Sequence, residues 1–189
     1  AWNMPLEGRS RDAIVAAQYK KMRKNLRRCA KRLAAEHGRG FRISLGEEIS
    51  DADFRDFLTL RAESFGEKGR NDILDDPQWR DFYTSLARSR HETCTPWLSR
   101  LEAGGETVAF LFGFMNGRDA VAIMPASKSG PWKIHAPGLQ LFEETILHFH
   151  AMQARVLDLS VGDMPYKQRL GCEELALHDA LFARGAAGR

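Results

Sequence analysis

The sequence predicts an α/β (α+β) domain in which an antiparallel meander and one parallel β-α-β unit share a mixed sheet between flanking helices. Three apolar or alternating runs, residues 97–103, 107–115 and 119–125, are separated by a Gly-Gly and an Asn-Gly pair that suit tight hairpins. These runs predict the meander. A helical pattern over residues 138–152 and an apolar strand over residues 156–161 follow. A strand, a helical crossover and a second strand in one sheet pair in parallel.

A long basic helix is predicted ahead of this sheet, over residues 12–37. Apolar residues recur there at spacings of three and four, as on one face of a helix: Val15, Tyr19, Met22, Leu26, Cys29 and Leu33. Eight lysines and arginines lie between Lys20 and Arg32, with no acid among them. Such a charge run is either a solvated helix face or a binding surface for phosphate, tRNA or an anionic membrane. The apolar seam suits packing against this domain or against a second chain.

Three shorter elements are predicted between the basic helix and the meander. Residues 41–45 alternate in polarity and form a half-buried strand. Ser50 or Asp51 caps a helix, and Pro77 begins another. The first helix places Phe54, Phe57, Leu58, Arg61 and Phe65 on one face, and the second packs Trp79, Phe82, Tyr83 and Leu86 on the sheet.

Length and composition are those of one globular domain with an extension. Of 189 residues, 43% are hydrophobic and 28% are charged, which argues against disordered, collagen-like and coiled-coil classes. We expect a basic N-terminal helix over residues 1–38, a main domain over residues 39–183 and a frayed tail over residues 184–189, with part of a longer protein upstream. Because no apolar run approaches the ~20 residues of a membrane span and no signal peptide is found, a cytoplasmic location is predicted.

A phosphate-binding turn is a candidate at the start of the crossover helix. Pro137 suits the first helical position, and Gly138 lets a ligand approach the backbone closely. The free N–H groups of Gly138, Leu139 and Gln140, with the positive end of the helix dipole, could bind phosphate oxygens. Lys133 and His135 lie just upstream and could add positive charge. The alternative is an ordinary turn from a loop into a helix.

Candidate catalytic residues follow the last predicted strand. Leu157, Leu159 and Val161 share one face of that strand, so Asp158 projects from the other. A carboxylate in a core strand is costly unless it is hydrogen-bonded or works in a site, so Asp158 either binds a neighbouring loop or has a functional role. Tyr166 could protonate a leaving thiolate, and Lys167 could stabilise an oxyanion or hold a phosphate. Alternatively, Tyr166 is an aromatic residue at an interface and Lys167 is a solvated surface charge.

No metal site and no disulfide are predicted. The three cysteines are widely spaced, without the close Cys or His groupings of zinc sites. His148 and His150 are two apart on a predicted helix and point in different directions. The sequence also lacks the serine-hydrolase elbow, the phosphate loop of nucleotide triphosphatases and the zinc-protease motif.

The order of these motifs resembles the CelD/BcsL, or acetyltransferase 6, family of GNAT-type acyltransferases, which are similar to the FemABX aminoacyl transferases. The resemblance rests on the meander, the segment from Ala136 to Phe142, Asp158 in its Leu-Asp-Leu strand, the pair Tyr166-Lys167 and the segment from Arg169 to Gly171. It covers most of the chain, and typical members are about twice as long.

This resemblance implies a GNAT-like fold and an acyltransferase that uses acetyl-CoA or another acyl-CoA. The thioester donor would lie between the two parallel strands, with its pyrophosphate at the helix start. A small-molecule amine or hydroxyl, on a sugar or a cell-envelope or exopolysaccharide precursor, would attack the donor directly, without a covalent enzyme intermediate. The FemABX likeness implies a lysine near the reacting groups at the position of Lys167.

Two other hypotheses remain open. Ala136, Pro137 and Cys172 depart from the common GNAT pattern, so the chain could be a degenerate scaffold whose basic helix binds a partner, anionic lipid or RNA. A donor of aminoacyl-tRNA, in the FemABX manner, would use the same fold.

Overall fold

The computed structural model describes residues 1–67, 69–89 and 93–178. The end of the predicted main domain at residue 183 and the predicted tail over residues 184–189 lie outside the described residues. Seven strands form one sheet in the order β2-β3-β4-β5-β6-β1-β7. Their bounds are β1 Trp2–Pro5, β2 Gly40–Leu45, β3 Thr95–Ala103, β4 Glu106–Asn116, β5 Asp119–Ser127, β6 Val156–Asp158 and β7 Glu173–Glu174.

The antiparallel meander is confirmed, and β2 extends it by one strand. β2 pairs with β3, β3 with β4, and β4 with β5, all antiparallel. The tight turns use left-handed glycines, with φ of 61° at Gly104, 80° at Gly105 and 57° at Gly117.

The parallel unit is also confirmed, because β6 pairs in parallel with β5 after a helical crossover. Two short strands, β1 and β7, complete the sheet beyond β6. Neither strand was predicted. β1 contains Asn3 and Pro5 within four residues, and β7 has only Glu173 and Glu174, so neither shows the apolar alternation that marks a strand.

Helices cover both faces of the sheet. Their bounds are α1 Arg11–Ala17, α2 Lys20–His37, α3 Asp51–Gly66, α4 Pro77–Ala87, α5 Pro137–Ala151 and α6 Pro165–Arg169. One core joins α2 and α5 to the sheet, and includes Leu26, Trp97 and Phe149. A second core lies under α3 on the other face, where Phe57 contacts Phe112.

The basic helix is broken into α1 and α2, where the sequence predicted one helix. Gln18 and Tyr19 are extended, with ψ of 143° and 132°. The backbone N–H of Tyr19 donates to the carbonyl of Arg169 in α6, at 3.0 Å, and so leaves the helical pattern. The apolar seam nevertheless packs in the chain's own core through Met22, Leu26 and Leu33, whereas Tyr19 is half exposed.

The predicted packing of α4 on the sheet is only partly correct. Tyr83 and Leu86 pack against the second core, but Trp79 is 45% exposed and Phe82 is 50% exposed. These two rings meet edge to face, with centroids 5.9 Å apart, and so cover each other instead of the sheet.

Candidate functional site

The sheet opens between β5 and β6. The two strands pair over three residues only, ending at Val121 opposite Asp158, while β5 continues to Ser127. Within the described ranges no strand pairs with β5 on that side beyond Val121. The register of β4 and β5 also shifts so that Ile123 has no partner in β4. Such a bulge bends a strand and ends its pairing, which fits the separation of β5 from β6.

The N-terminus of α5 lies at the far end of β5. Ala136 begins the helix in the left-handed conformation, with φ 49° and ψ 51°. A Cβ atom on Gly138 would lie 3.3 Å from the Oγ atom of Ser127, so the first turn rests closely on the end of β5. In the part of the chain that the structure describes, the N–H groups of Gly138 and Leu139 have no hydrogen-bond partner. They can bind an anion.

Gln140 is not the third free donor that the sequence suggested. Its backbone N–H donates to the carbonyl of Ala136 at 3.1 Å, as the first bond of the helix. Its side chain is fully buried. The Nε2 atom donates to the carbonyl of His135 at 2.7 Å, and the Oε1 atom accepts from Arg39 at 2.8 Å. Gln140 therefore shapes the turn from inside the protein.

The two residues proposed to add charge upstream occupy different environments. Lys133 is exposed. His135 is only 2% exposed, and its Nε2 atom lies 3.4 Å from Glu36 of α2. The expectation that His135 faces a phosphate at the helix start is therefore corrected, because its ring is turned into the protein toward Glu36.

A basic cavity of about 610 Å³ lies beside Leu139. Four cations line it, Lys21, Lys24 and Arg28 of α2 and Arg169 of α6. Its other lining residues are Leu139 at the start of α5 and the uncharged residues Tyr19, Met22 and Asn25. The cavity extends the anion-binding character of that helix start.

Asp158 ends β6. Its Oδ1 atom accepts a 2.6 Å hydrogen bond from the N–H of Ser160, and Ser160 is left-handed with φ 63°. This turn stops the strand three residues before the predicted end at Val161, which is 65% exposed. Asp158 thus binds its neighbouring loop, one of the two roles the sequence allowed, at the point where the strands separate.

Lys167 is buried, with 3% of its surface exposed. Its Nζ atom donates to the carbonyls of Ser160, Val161 and Gly162 at 3.1, 2.7 and 3.1 Å. Burial lowers the pKa of the Lys167 ammonium, and the nearby carboxylate of Asp158 opposes that shift. All three protons of this ammonium are used within the loop.

Tyr166 is half-buried against Phe142 of α5, with ring centroids 5.2 Å apart. Burial and the neighbouring Cys172 raise the pKa of Tyr166 to about 12. The phenol therefore keeps its proton at neutral pH. Cys172 is itself buried, and burial raises the pKa of its thiol to about 12.

Four of the predicted residues fall into two sets. Asp158 and Lys167 hold one loop at the end of β6, while Gly138 and Leu139 lie at the start of α5 beside the cavity. Arg169 is a member of the cavity that sequence reasoning did not assign to the site. Arg169 lies beside α2 because α6 docks at the break between α1 and α2. No local sequence pattern predicts this long-range contact.

A mixed sheet that opens between two parallel strands beside a helix start with free N–H groups is the arrangement of GNAT-type transferases. A family model described as an acetyltransferase (GNAT) domain matches residues 20–168. This chain belongs to that GNAT acetyltransferase family.

Two solved structures share the fold. The structure of FemX superposes with a TM-score of 0.64 at 10% sequence identity, covering 91% of this chain and 58% of FemX. The C-terminal DUF2156 domain of a proposed lysylphosphatidylglycerol synthetase from Agrobacterium fabrum gives a TM-score of 0.52 at 13% identity, covering 87% of this chain and 46% of that one. The chain thus spans about half the length of these structures.

A comparison with curated proteins found no significant match. Of the helices in the described ranges, none combines the length and the apolar character needed to cross a lipid bilayer.

Proposed function

We propose that this chain transfers an acyl group from a phosphate-bearing donor, acetyl-CoA or another acyl-CoA, to an amine or hydroxyl of a small acceptor. A sugar or a cell-envelope or exopolysaccharide precursor is the proposed class of acceptor. The observation that carries the proposal is the basic cavity lined by Leu139, at the helix start where the N–H groups of Gly138 and Leu139 are free.

Charge and geometry support a donor of this type. The pyrophosphate of coenzyme A would accept hydrogen bonds from the N–H groups of Gly138 and Leu139, at the positive end of the α5 dipole. Its remaining phosphate would lie among the four cations of the cavity. Exposed Lys133, upstream of the helix, adds positive charge on the approach to the same end.

The acyl arm would follow the unpaired edge of β5. Beyond Val121 that edge has no strand beside it among the described residues, so an extended arm with amide groups could lie along it as an added strand would. Its thioester would then reach the end of β6, where Asp158 and Lys167 fix the loop.

The proposed reaction is direct transfer. A nitrogen or oxygen of the acceptor forms a bond to the thioester carbonyl carbon as the carbon–sulfur bond breaks, and the proton lost by the acceptor balances the one taken up by the thiolate. A phenol whose pKa is about 12 holds its proton more tightly than a thiol of ordinary pKa. Tyr166 would therefore donate a hydrogen bond to the leaving thiolate, while Asp158 and Lys167 keep the surrounding loop in position.

Calorimetric titration with acetyl-CoA tests the donor site. The double variant Lys24→Gln/Arg28→Gln removes two charges from the cavity. The matched control Arg27→Gln/Lys31→Gln removes two exposed charges from the same helix that do not line the cavity. The proposal predicts a loss of at least about tenfold in affinity for the first variant and about twofold or less for the control.

Aminoacyl-tRNA is the second candidate donor, and it is favoured by the exposed cations of α2 outside the cavity. An RNA backbone would contact both sets of charges, so both double variants would weaken binding of an aminoacylated acceptor-stem RNA, with a steep dependence on salt. Absence of detectable heat with either donor at millimolar concentration would contradict the proposal and favour the degenerate scaffold.

A further inference from the structure

We propose a binding site for one divalent transition-metal ion, with Zn²⁺ as the best fit, formed by Glu36, His37 and His135. Glu36 and His37 are the last two residues of α2. His135 ends the short 3₁₀ turn Gly130–His135 that leads into α5. One ligand atom from each of the three lies within 4.8 Å of the others.

The distances approach those of a metal centre. Oε2 of Glu36 lies 3.4 Å from Nε2 of His135 and 4.0 Å from Nε2 of His37. Around zinc, with bonds of about 2.0–2.1 Å, tetrahedral ligand atoms are about 3.3 Å apart, and the centres of two bound imidazoles are about 5 Å apart. The two imidazole centroids here are 5.5 Å apart. The ligand atoms lie within 4.8 Å of one another, so closing them to this spacing takes movements of up to about 1.5 Å, which rotation of the exposed Glu36 and His37 side chains can supply.

Neighbouring groups hold Glu36 and His37 in place. Arg32 donates a 2.8 Å hydrogen bond to Oε1 of Glu36 and leaves Oε2 directed at the histidines. The ring of His37 packs against Trp132, with centroids 4.9 Å apart. Gly104 in the β3–β4 turn donates its N–H to the carbonyl of His37 at 2.8 Å. Such supporting contacts orient ligands at metal sites.

Charge and exposure also favour a cation. Glu36 and His37 lie in the last turn of an 18-residue helix, where the dipole is negative and attracts positive charge. The side chains of His37 and Glu36 are about two-fifths exposed, whereas that of His135 is 2% exposed. Two imidazoles and a carboxylate are a known zinc ligand set, and the exposed side leaves a fourth position for water.

An ion pair between Glu36 and His135 alone would explain less of this arrangement than a metal site does. It would explain the 3.4 Å contact, but not the approach of the second imidazole to the same oxygen. A bound ion would also tie the turn before α5 to the end of α2. That turn leads directly into Ala136 and Pro137, so the ion would stabilise the approach to the donor site without being part of it.

Titration of the metal-free full chain with Zn²⁺, and with Co²⁺ followed by its visible absorption, tests the site. The wild type should bind one ion and show a higher melting temperature with zinc. Because both side chains are partly exposed, Glu36→Gln and His37→Gln should fold normally and weaken zinc binding by at least about tenfold. Glu63→Gln and His178→Gln, which change an exposed glutamate and an exposed histidine elsewhere, should bind as the wild type does.

The proposal is overturned if the wild type binds no zinc at millimolar concentration. Equal zinc affinity in all four variants and the wild type would also overturn it, because the ion would then be held elsewhere. Since the readouts are metal binding and melting temperature, the result is independent of whether acetyl-CoA is the donor.

Discussion

The ammonium group of Lys167 donates a 2.7 Å hydrogen bond to the carbonyl oxygen of Val161. Two more carbonyls of the same loop accept its other protons. This explains how a lysine can be 97% buried, since each N–H donor has a protein acceptor. Lys167 therefore acts mainly by stabilising the conformation of the loop after β6.

The variant Lys167→Met should therefore lose stability as well as any activity. Removal of three charge-assisted hydrogen bonds leaves loop carbonyls without their donor, and we expect a loss of about 2–4 kcal/mol in the free energy of unfolding. Urea denaturation measures it. Lys31→Met, on an exposed position of α2, should change stability by less than about 0.5 kcal/mol; equal stability of the two variants would refute the structural role.

The family resemblance predicted a functional lysine at Lys167, but no sequence pattern predicts that backbone carbonyls accept all of its protons. The meander and the β-α-β unit were predictable because alternation, hairpin glycines and helical spacing are local signals. β1 was not, since it is defined by pairing with the distant strand β6. The one-residue register shift at Ile123 was not either, because no local pattern in the hairpin strands β4 and β5 marks it. The cavity likewise depends on Arg169 meeting α2, which only the folded chain brings together.

Gly171 should tolerate no side chain. Its φ is 90°, and a Cβ atom there would lie 2.9 Å from backbone atoms of Ala17. Gly162 provides the matched control, because its φ is 95° but its Cβ would meet nothing within 4 Å. Gly162→Ala should lose about 1 kcal/mol from backbone strain alone, and Gly171→Ala clearly more, about 2–4 kcal/mol. Similar losses in thermal unfolding would show that the turn after α6 does not pack this closely on the end of α1.

Arg61 should be essential for stability on the other face of the sheet. It is 6% exposed and donates to Oδ1 of buried Asp72 at 2.7 Å and to the carbonyl of Pro125 at 3.0 Å. Arg61→Ala leaves a buried carboxylate unpaired and should cost about 3–5 kcal/mol, measured by chemical denaturation.

Two controls make this result specific. Arg55→Ala changes an exposed arginine of the same helix and should be nearly neutral. Arg61→Met/Asp72→Leu removes both charges and should be less destabilising than Arg61→Ala. A double variant that is less stable than the single one would contradict the ion-pair explanation.

Stability should fall at alkaline pH because of Cys172. Burial raises the pKa of its thiol from 9.0 to about 12. Between these values the unfolded thiol loses its proton while the native thiol keeps it, so the native state binds more protons and stability decreases as pH rises.

The expected slope is up to about 1.4 kcal/mol per pH unit, measured by urea unfolding above about pH 9. In Cys172→Ala the part of the pH dependence of stability that comes from this thiol should be absent, whereas the parts that come from other ionisable groups should remain. Parallel pH profiles for the wild type and the variant would contradict the assignment.

The most direct test of the donor site is the response of the backbone amides of Gly138 and Leu139 to acetyl-CoA in a ¹⁵N–¹H NMR titration. Both amide signals should shift as the donor is added, inorganic pyrophosphate should shift the same two signals, and Lys24→Gln/Arg28→Gln should weaken both responses. Saturation with acetyl-CoA that leaves these two amides unchanged would contradict the placement of the donor phosphates at the start of α5.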